Sequence, residues 1–422
     1  MNGVAMSGPL GQSGASVAGL REHNLSSVLS VLARHGTLTR AEIAGHCGLR
    51  VSALTNLVQE LRDRGLVEET DGEQPAMGRP VRPISLARRP WVLLAIQCDR
   101  TRILAAIGNL TGELESVHEF PVPEYSGLAE YLPHLDLAVR GLLDVASRQS
   151  RPVLALEVGV PGAANRERGT VVRSVLNGWS EGPLGRYVEE MLAAAGSTAV
   201  VGVDRETNYS MLSCISGSEP ALDDKSVAYI GGRGAVSGGL FSRSTVEHGS
   251  GGLAGEFGHI VIDPGGRQCW CGRRGCAETR LGLASIYSQA TGADYATVMS
   301  GLSSRHEAMT AELRELLDGG DKRTAETFAD AGRWLGITID TVAGVVNPEL
   351  FIVNGFLAEF RRGLETEMRG YLDGIGGLPS ITRLDVDFGP GAPHQMLRGM
   401  VLAGRSRVIG QPALAAVAAR MA

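Results

Sequence analysis

Three stretches near the start of the chain carry apolar residues at the three- and four-residue spacing of amphipathic helices. The first stripe consists of Leu25, Val28, Leu29 and Leu32. Thr39 and Glu42 match a capping box, so a second helix is predicted to begin at Arg40. A third helix is predicted over residues 51–64, and its apolar stripe consists of Leu54, Leu57, Val58 and Leu61. Three short helices in this order predict a helix-turn-helix head.

The third helix carries polar residues on the face opposite its apolar stripe. These side chains are Ser52, Thr55, Asn56 and Gln59, with Arg50 at the start of the helix. Short polar donors and acceptors in this arrangement can contact base edges in a major groove of DNA. The alternative is that the three helices only pack or dimerise.

A β-hairpin is predicted directly after the third helix. It has a strand from Leu66, a turn over residues 72–78 and a return that ends at Leu86. Arg79 and Arg82 lie in this hairpin, where arginines can contact phosphates or a minor groove. The hairpin completes the pattern of a winged helix-turn-helix, with double-stranded operator DNA as the expected partner.

Buried-strand patterns alternate with helical segments in the rest of the chain. The strands are predicted over residues 92–96, 102–107, 153–158, 226–230 and 350–353. This alternation predicts an α/β body with a mixed or parallel sheet and helices on its faces. The chain then divides into a Gly-, Ser- and Ala-rich flexible tail (1–20), the head (21–88) and the body (91–422).

Composition and charge agree with this division. The chain has 422 residues, enough for two or three domains with sizeable cores. Residues 1–90 hold ten arginines and eight acidic residues, a net charge of +2, so the remainder carries −8 within the total of −6. A mildly basic head on an acidic body fits a DNA-binding segment joined to a metabolite-binding one. No run of about 18 apolar residues and no secretory signal is seen, so we expect no membrane contact and a cytoplasmic location, on the nucleoid when bound to DNA.

One histidine and three cysteines lie close together in the middle of the body. They are His259, Cys269, Cys271 and Cys276, with glycines after the second cysteine and before the third. Four ligands of this type are what a closed tetrahedral zinc site requires, and the glycines let the backbone fold tightly around an ion. The loop over 259–276 is therefore predicted to bind Zn²⁺, and the alternative is a free or disulfide-bonded cysteine cluster.

The same stretch resembles the signature of the ROK family, which includes bacterial transcriptional repressors and sugar kinases. The matching residues are Gly255-Glu256-x-Gly258-His259 and the following Cys-x-Cys-Gly-x-x-Gly-Cys-x-Glu. The resemblance implies two ribonuclease-H-like lobes of the actin and hexokinase type, with a ligand cleft between them. The head also resembles that of ROK repressors, including the Gly-Arg-Pro of the wing.

The nucleotide-binding motifs of the ROK kinases are degraded in this chain. The first phosphate loop, Asp-x-Gly-Gly-Thr in the kinases, is here Gln-Cys-Asp-Arg-Thr over residues 97–101, and the second loop contains Arg233 and Ser237 among its glycines. The catalytic Asn-Asp-Ala-Asn is replaced by Arg205-Glu206-Thr-Asn, which puts a longer carboxylate where proton abstraction tolerates little displacement. The resemblance therefore predicts that kinase activity has been lost.

The sugar-binding motifs are better preserved. By resemblance, sugar contacts are expected from Glu256, His259, Glu278, Asn177 and Glu206. Asn177 lies one place later than the family's asparagine, and Glu256 and Glu278 have structural roles as their alternative, in helix caps or salt bridges. The effector is then a sugar, an atypical sugar or an oligosaccharide, or there is none.

Together these features predict a transcriptional repressor of carbohydrate-metabolism genes. A sugar or related metabolite in the cleft would modulate DNA binding, and the chain would form a homodimer or higher oligomer on a palindromic site. Two alternatives remain open: an ATP-dependent sugar kinase with a DNA-binding head, and a ligand-independent DNA-binding protein.

Overall fold

The fold is described from a computed structural model, which covers residues 17–69, 82–175, 177–216, 225–375 and 384–418. The head comprises three helices and a two-stranded antiparallel sheet: α1 (Val17–His35), α2 (Arg40–Cys47), α3 (Val51–Asp63), β1 (Val67–Glu69) and β2 (Ile84–Leu86). Helix α1 begins at Val17, so it includes the last four residues of the predicted tail (1–20). The remainder of the predicted tail lies outside the described residues.

The local signals of the head act as the sequence predicts. Thr39 and Glu42 form both hydrogen bonds of the capping box at the start of α2, and Gly48 ends that helix in a left-handed conformation with φ of 64°. All the apolar residues of the predicted stripes are buried. At the start of α3, Arg50 makes no capping side-chain hydrogen bond. Strands β1 and β2 pair in register, whereas the tip of the wing lies outside the described residues.

The first lobe of the body follows the head. Its elements are β3 (Val92–Cys98), β4 (Arg102–Gly108), β5 (Leu114–Pro121), α4 (Leu128–Arg148), β6 (Val153–Val160), β7 (Ala163–Asn165), β8 (Thr170–Arg173), α5 (Leu184–Ala194) and β9 (Val200–Arg205). We refer to these elements as lobe 1. Helix α6 (Glu206–Ile215) leads from lobe 1 toward the second lobe.

The second lobe, lobe 2, contains the metal loop and most of the remaining helices. Its elements are β10 (Val227–Gly231), β11 (Ser237–Ser242), β12 (Thr245–Val246), a short 3₁₀ turn (Phe257–His259), α7 (Glu278–Leu281), α8 (Leu283–Thr291), α9 (Tyr295–Asp318), α10 (Lys322–Val346), β13 (Leu350–Val353), α11 (Phe356–Glu359), α12 (Arg361–Gly374) and β14 (Asp385–Phe388). The chain then returns through α13 (Gln395–Gly410) and α14 (Ala413–Ala418).

The two lobes repeat one topology. In lobe 1 the strand order is β5-β4-β3-β6-β9, with three antiparallel strands followed by two that extend the sheet in parallel. In lobe 2 the order is β12-β11-β10-β13-β14, with the same sequence of antiparallel and parallel pairings. The predicted α/β fold with two ribonuclease-H-like lobes is confirmed.

Helices α6 and α13 connect the lobes with the head. They approach closely, since a Cβ atom on Gly399 of α13 would lie 1.7 Å from the carbonyl oxygen of Tyr209 in α6. At the other end of α13, the Ser26 hydroxyl of α1 donates to the carbonyl oxygen of Ile409. The buried residues of the head form one continuous apolar cluster with those of α13 and β3. A residue-by-residue contact route therefore joins the body to the head.

Within the described residues, no helix combines the length and the apolar character needed to cross a membrane.

Candidate ligand cavity, metal cluster and DNA-binding face

A cavity of about 730 Å³ lies between the two lobes. Lobe 1 contributes the ends of β3, β6, β8 and β9, and lobe 2 contributes the loop after β10, the turn around Glu256 and the middle of α9. The loop of the metal cluster forms part of the wall through Trp270, Cys271 and Arg273. A concave site at the ends of strands from two lobes is where ligands bind in folds of this kind.

Arg233 of lobe 2 crosses the cleft and binds two carboxylates, one in lobe 1 and one at the start of α6. Its guanidinium donates to Asp99 at the end of β3 and to both carboxylate oxygens of Glu206, at 2.9 and 3.2 Å. All three residues line the cavity. The side chain that replaces glycine in the second phosphate loop therefore occupies the region between the first phosphate loop and the former catalytic position.

The charges of Asp99, Glu206 and Arg233 shift the pKa values of the two carboxyl groups. Burial opposes the ionisation of Asp99, but the Arg233 guanidinium outweighs it and holds the pKa of Asp99 below its usual value. Burial raises the pKa of Glu206 to about 7, against the opposing effect of Arg233, and the neighbouring Asp99 charge raises it further. One cation between two carboxylates leaves a net negative charge, so one of the two carboxyl groups, Glu206, retains its proton more readily.

Arg205 crosses the cleft in the opposite direction. It belongs to β9 of lobe 1, is 1% exposed, and donates to the Glu256 carboxylate at 2.6 Å and to the carbonyl oxygen of Gly238 at 3.1 Å, both in lobe 2. A third bond reaches the carbonyl oxygen of Ala254. The residue that replaces the family's first catalytic asparagine thus neutralises the carboxylate expected to bind sugar.

Three of the five predicted sugar-binding residues line the cavity: Glu206, Glu256 and His259. Glu278 does not line it, because its buried carboxylate accepts the backbone N–H of Val236 at 2.6 Å. Burial raises the pKa of Glu278 to about 8. In this arrangement Glu278 bonds to the backbone of another segment, and its predicted sugar contact stays a prediction.

Asn177 also lies outside the cavity lining. It is fully buried, and neither polar atom of its side chain has a hydrogen-bond partner among the described residues. Its backbone N–H donates to the Ser174 hydroxyl at 3.4 Å. The shift of one place in the sequence is therefore accompanied by burial in lobe 1, and the predicted sugar contact of Asn177 stays a prediction.

The four predicted metal ligands converge. One donor atom from each of His259, Cys269, Cys271 and Cys276 lies within 4.8 Å of the other three. The Sγ atoms of Cys271 and Cys276 are 3.6 Å apart, and His259 Nδ1 is 3.7 Å from Cys269 Sγ. Ligands around a tetrahedral ion with bonds of about 2.3 Å are separated by about 3.8 Å, so the spacing fits a metal ion. Burial lowers the pKa of His259, which favours the neutral ring that ligation needs.

The predicted DNA-binding residues of α3 are on the surface. The side chains of Arg50, Ser52, Thr55, Asn56 and Gln59 are all exposed. The Gln59 amide donates a hydrogen bond to Asp63 and accepts one from Arg62. The polar side chains in the N-terminal half of α3 are therefore more available for contacts with bases. Arg82 is exposed and lies 4.0 Å from Glu69, whereas Arg79 is outside the described residues.

Two features of the cavity were not anticipated from the sequence. The ion pairs of Arg205 and Arg233 across the cleft were not predicted, although both arginines had been noted as departures from the kinase motifs. Trp270, on the metal loop, is 40% exposed and lines the cavity. Its position between two cysteine ligands was the signal that could have marked it.

Replacing Glu206 by Gln is expected to change how stability depends on pH. The folded pKa of about 7 lies above the value of the unfolded carboxyl, so the folded chain holds a proton that the unfolded chain has lost. Stability therefore falls as the pH rises from about 5 to about 7. The Tm of the wild type should therefore fall relative to that of Glu206→Gln as the pH rises over this interval. The change corresponds to on the order of 3 kcal/mol in the free energy of unfolding.

Glu326→Gln, which removes an exposed glutamate of α10, is the matched control for this measurement. A Tm difference between the wild type and Glu206→Gln that does not vary with pH would contradict the raised pKa.

Comparisons with known proteins agree with the two-part architecture. A model of the ROK family matches residues 93–373, and a model of the MarR family matches residues 26–75. The DNA-binding transcriptional dual regulator NagC of Escherichia coli (strain K12) is 24% identical over 347 residues, which cover 81% of this chain and 82% of NagC. A glucokinase of Halalkalibacterium halodurans is 26% identical over 268 residues, 62% of this chain and 79% of that enzyme.

The fold itself has a close counterpart among solved structures. The crystal structure of a ROK family transcriptional regulator, a homologue of the E. coli MLC protein, superposes with a TM-score of 0.76. It is 22% identical, and the match covers 94% of this chain and 99% of the other. Because the ROK model spans more than half of the chain and the two-lobed body carries the metal loop at the expected place, this chain belongs to the ROK family.

Proposed function

We propose that this chain is a DNA-binding transcriptional repressor whose affinity for operator DNA is modulated by a sugar or related metabolite in the interlobe cavity. The observation that carries the proposal is the exposed polar N-terminal half of α3, in a head that is packed onto a ROK body. In helix-turn-helix proteins the N-terminal residues of this helix contact base edges. A cytoplasmic location and a homodimer on a palindromic site belong to the same proposal.

The contacts between cavity and head support modulation by a ligand. Glu206 lines the cavity and begins α6, α6 packs closely on α13, and α13 touches α1 of the head. A ligand can shift the head between its DNA-binding arrangements only if it binds one arrangement of the lobes more tightly than the other. The shift is limited by that difference in binding free energy. The contact route provides the physical path for this effect.

The kinase alternative has less support from the geometry of the site. Phosphoryl transfer needs a carboxylate placed to accept the hydroxyl proton and loops whose backbone N–H groups hold phosphates. Here the Glu206 carboxylate is bound by Arg233 through both oxygens, and the same guanidinium binds Asp99. Release of Arg233 would leave two buried carboxylates without their cation, which is costly. We therefore propose that the chain is not an enzyme.

The metal in the cysteine cluster is proposed to be zinc. One imidazole and three thiolates form a closed set of ligands of the kind found in structural zinc sites. Bound zinc would fix the loop and the ring of His259, whose Nδ1 faces the cluster. The orientation of the His259 ring would then be set for a ligand hydroxyl in the cavity, because a metal-bound imidazole cannot rotate freely.

Two head variants are expected to weaken DNA binding in different ways. Asn56→Ala removes a group that can contact base edges, so affinity for the selected operator should fall about tenfold or more while nonspecific binding is retained. Arg82→Ala removes a phosphate contact, so it should weaken binding to all duplexes alike. It should also reduce the slope of log affinity against log salt concentration by about one. Both are measured by fluorescence polarisation on duplexes selected from a random pool by the full chain.

Gln149→Ala, an exposed polar residue of lobe 1, is the matched control. The proposed recognition face would be refuted if Asn56→Ala bound the selected operator as tightly as the wild type.

The effector is tested by operator binding in the presence of hexoses, pentoses, amino sugars and their phosphates, each with and without ATP. One sugar class is expected to change the operator affinity at least several-fold, in the range of typical allosteric couplings. No ADP should be released with any sugar in a coupled assay. An unchanged operator affinity across the panel would favour the ligand-independent alternative, and ADP release would favour the kinase.

Zinc binding is tested by metal analysis of the purified full chain. The wild type is expected to contain one zinc per chain, and Cys271→Ser should lose it on dialysis against a chelator, with a lower Tm, because metal binding stabilises the folded loop. Cys47→Ser, which changes a partly buried cysteine of the head, is the control and should keep the metal. A wild type without metal, or a Cys271→Ser variant that retains it, would contradict the zinc assignment.

A further inference from the structure

The exposed part of the lining of the interlobe cavity contains a group of apolar side chains, next to the exposed Arg173 and Arg273. Eight large apolar side chains are markedly exposed among the described residues, and half of them line this one cavity. They are between 39% and 50% exposed: Val175, Leu253, Val261 and Trp270. Single exposed apolar residues are normal on a protein surface, whereas a group of them around a concave site marks a place where a ligand covers them.

Trp270 is the largest member of this group and the most firmly placed. It lies between Cys269 and Cys271, so a metal ion bound by the cluster would fix the backbone on both sides of it. Its indole meets the His259 ring edge-to-face, with the ring centroids 4.4 Å apart and an angle of 85°. An aromatic side chain held in this way loses little conformational entropy when a ligand packs against it.

The inner part of the cavity is polar by contrast. His259 and Glu256 are there, and the guanidinium of Arg205 is bonded to the Glu256 carboxylate. These groups can exchange hydrogen bonds with hydroxyls. The volume of about 730 Å³ lies within the range of about 300–1000 Å³ typical of pockets for drug-sized molecules. Pockets of this volume hold drug-sized ligands, which are larger than one sugar ring.

We propose that the cavity binds a two-ring glycoside, with a sugar ring on the polar floor and its second ring packed against Trp270. This inference rests on the proposed function, because it specifies the class of sugar that the cavity takes. The second ring is another sugar, whose C–H face is apolar, or an apolar aglycone. Both have the same chemistry toward the indole: an apolar face that Trp270, Val175 and Leu253 remove from water.

The sequence allows Trp270 to be observed directly. The chain has four tryptophans. Trp91 and Trp179 are 3% and 2% exposed, and Trp334 is partly buried with the Arg280 guanidinium 4.6 Å from its ring centroid. Trp270 is the most exposed of the four. A ligand that covers it should shift the emission of the zinc-loaded full chain to shorter wavelength, and Trp270→Phe should remove that shift.

The test compares binding of matched one- and two-ring ligands by calorimetry. The probes are glucose, xylose and N-acetylglucosamine, their β-linked disaccharides, their phenyl glycosides and their 6- or 5-phosphates. At least one disaccharide or phenyl glycoside should bind about tenfold tighter than its monosaccharide, and Trp270→Ala should abolish that difference in affinity between the two ligands. Comparison of the disaccharide and phenyl arms identifies the second ring.

Controls separate a lost contact from a damaged loop. Trp270→Ala must contain as much zinc as the wild type, and Leu253→Ala, which leaves the metal loop intact, should lose part of the same gain. Trp334→Phe, which lies outside the cavity lining, should bind like the wild type. If Trp270→Ala loses its metal, Leu253→Ala decides the question alone.

Three outcomes overturn the inference. They are equal affinity for one- and two-ring ligands, a two-ring gain that survives in Trp270→Ala and Leu253→Ala, and binding confined to monosaccharide phosphates. In each of these cases the cavity still binds a carbohydrate, so the proposed function stands. A chain that binds its operator but none of the probes would refute the sugar-sensing part of the proposed function itself.

Discussion

Two arginines that cross the cleft in opposite directions determine the arrangement of the body. Arg205 reaches from lobe 1 into lobe 2, and Arg233 reaches from lobe 2 into lobe 1. A guanidinium removed from water is costly unless it is paired, and each of these two binds carboxylate or carbonyl oxygens across the cleft. The Nε of each has no hydrogen-bond partner among the described residues. Separation of the lobes would break the Arg205–Glu256 and Arg233–Asp99 ion pairs. The geometry of the cavity is therefore tied to how the lobes sit against each other.

The same two residues bear on which ligands the cleft of this chain can hold. A nucleotide phosphate would be attracted to Arg233, but that cation already balances Asp99 and Glu206, and burial raises the pKa of Glu206 to about 7. A phosphate that took Arg233 away would leave two buried carboxylates close to its own negative charge. A neutral hydroxylated ligand avoids this penalty, because it can add hydrogen bonds to the Arg205–Glu256 pair without breaking a charge pair.

The sequence predicted the local features well, and it did not predict the contacts between distant residues. The helices of the head, the strand positions and the capping box at Thr39 follow from periodicity and short-range hydrogen bonds. The metal cluster follows from the spacing of four ligands within one loop. Arg233 lies 27 residues from Glu206 and 134 from Asp99, and Arg205 lies 51 from Glu256, so these pairs exist only after both lobes have folded. The hydrogen bond of Glu278 was not predictable for the same reason, because whether a carboxylate faces a cavity or a backbone N–H of another segment is a tertiary property.

The arrangement of the helices limits how a ligand can act on DNA binding. Arg233 is anchored in lobe 2, whereas its acceptor Glu206 begins α6, which packs on α13 and through it on α1 of the head. A change in the Arg233–Glu206 contact therefore acts at one end of α6, close to where lobe 2 meets lobe 1. Well-packed helices move as units, because a close approach such as that of Gly399 to Tyr209 leaves no room for independent shifts. A ligand that binds the two lobe arrangements with different affinity can thus bias the head without touching it, and by no more than that difference in binding free energy.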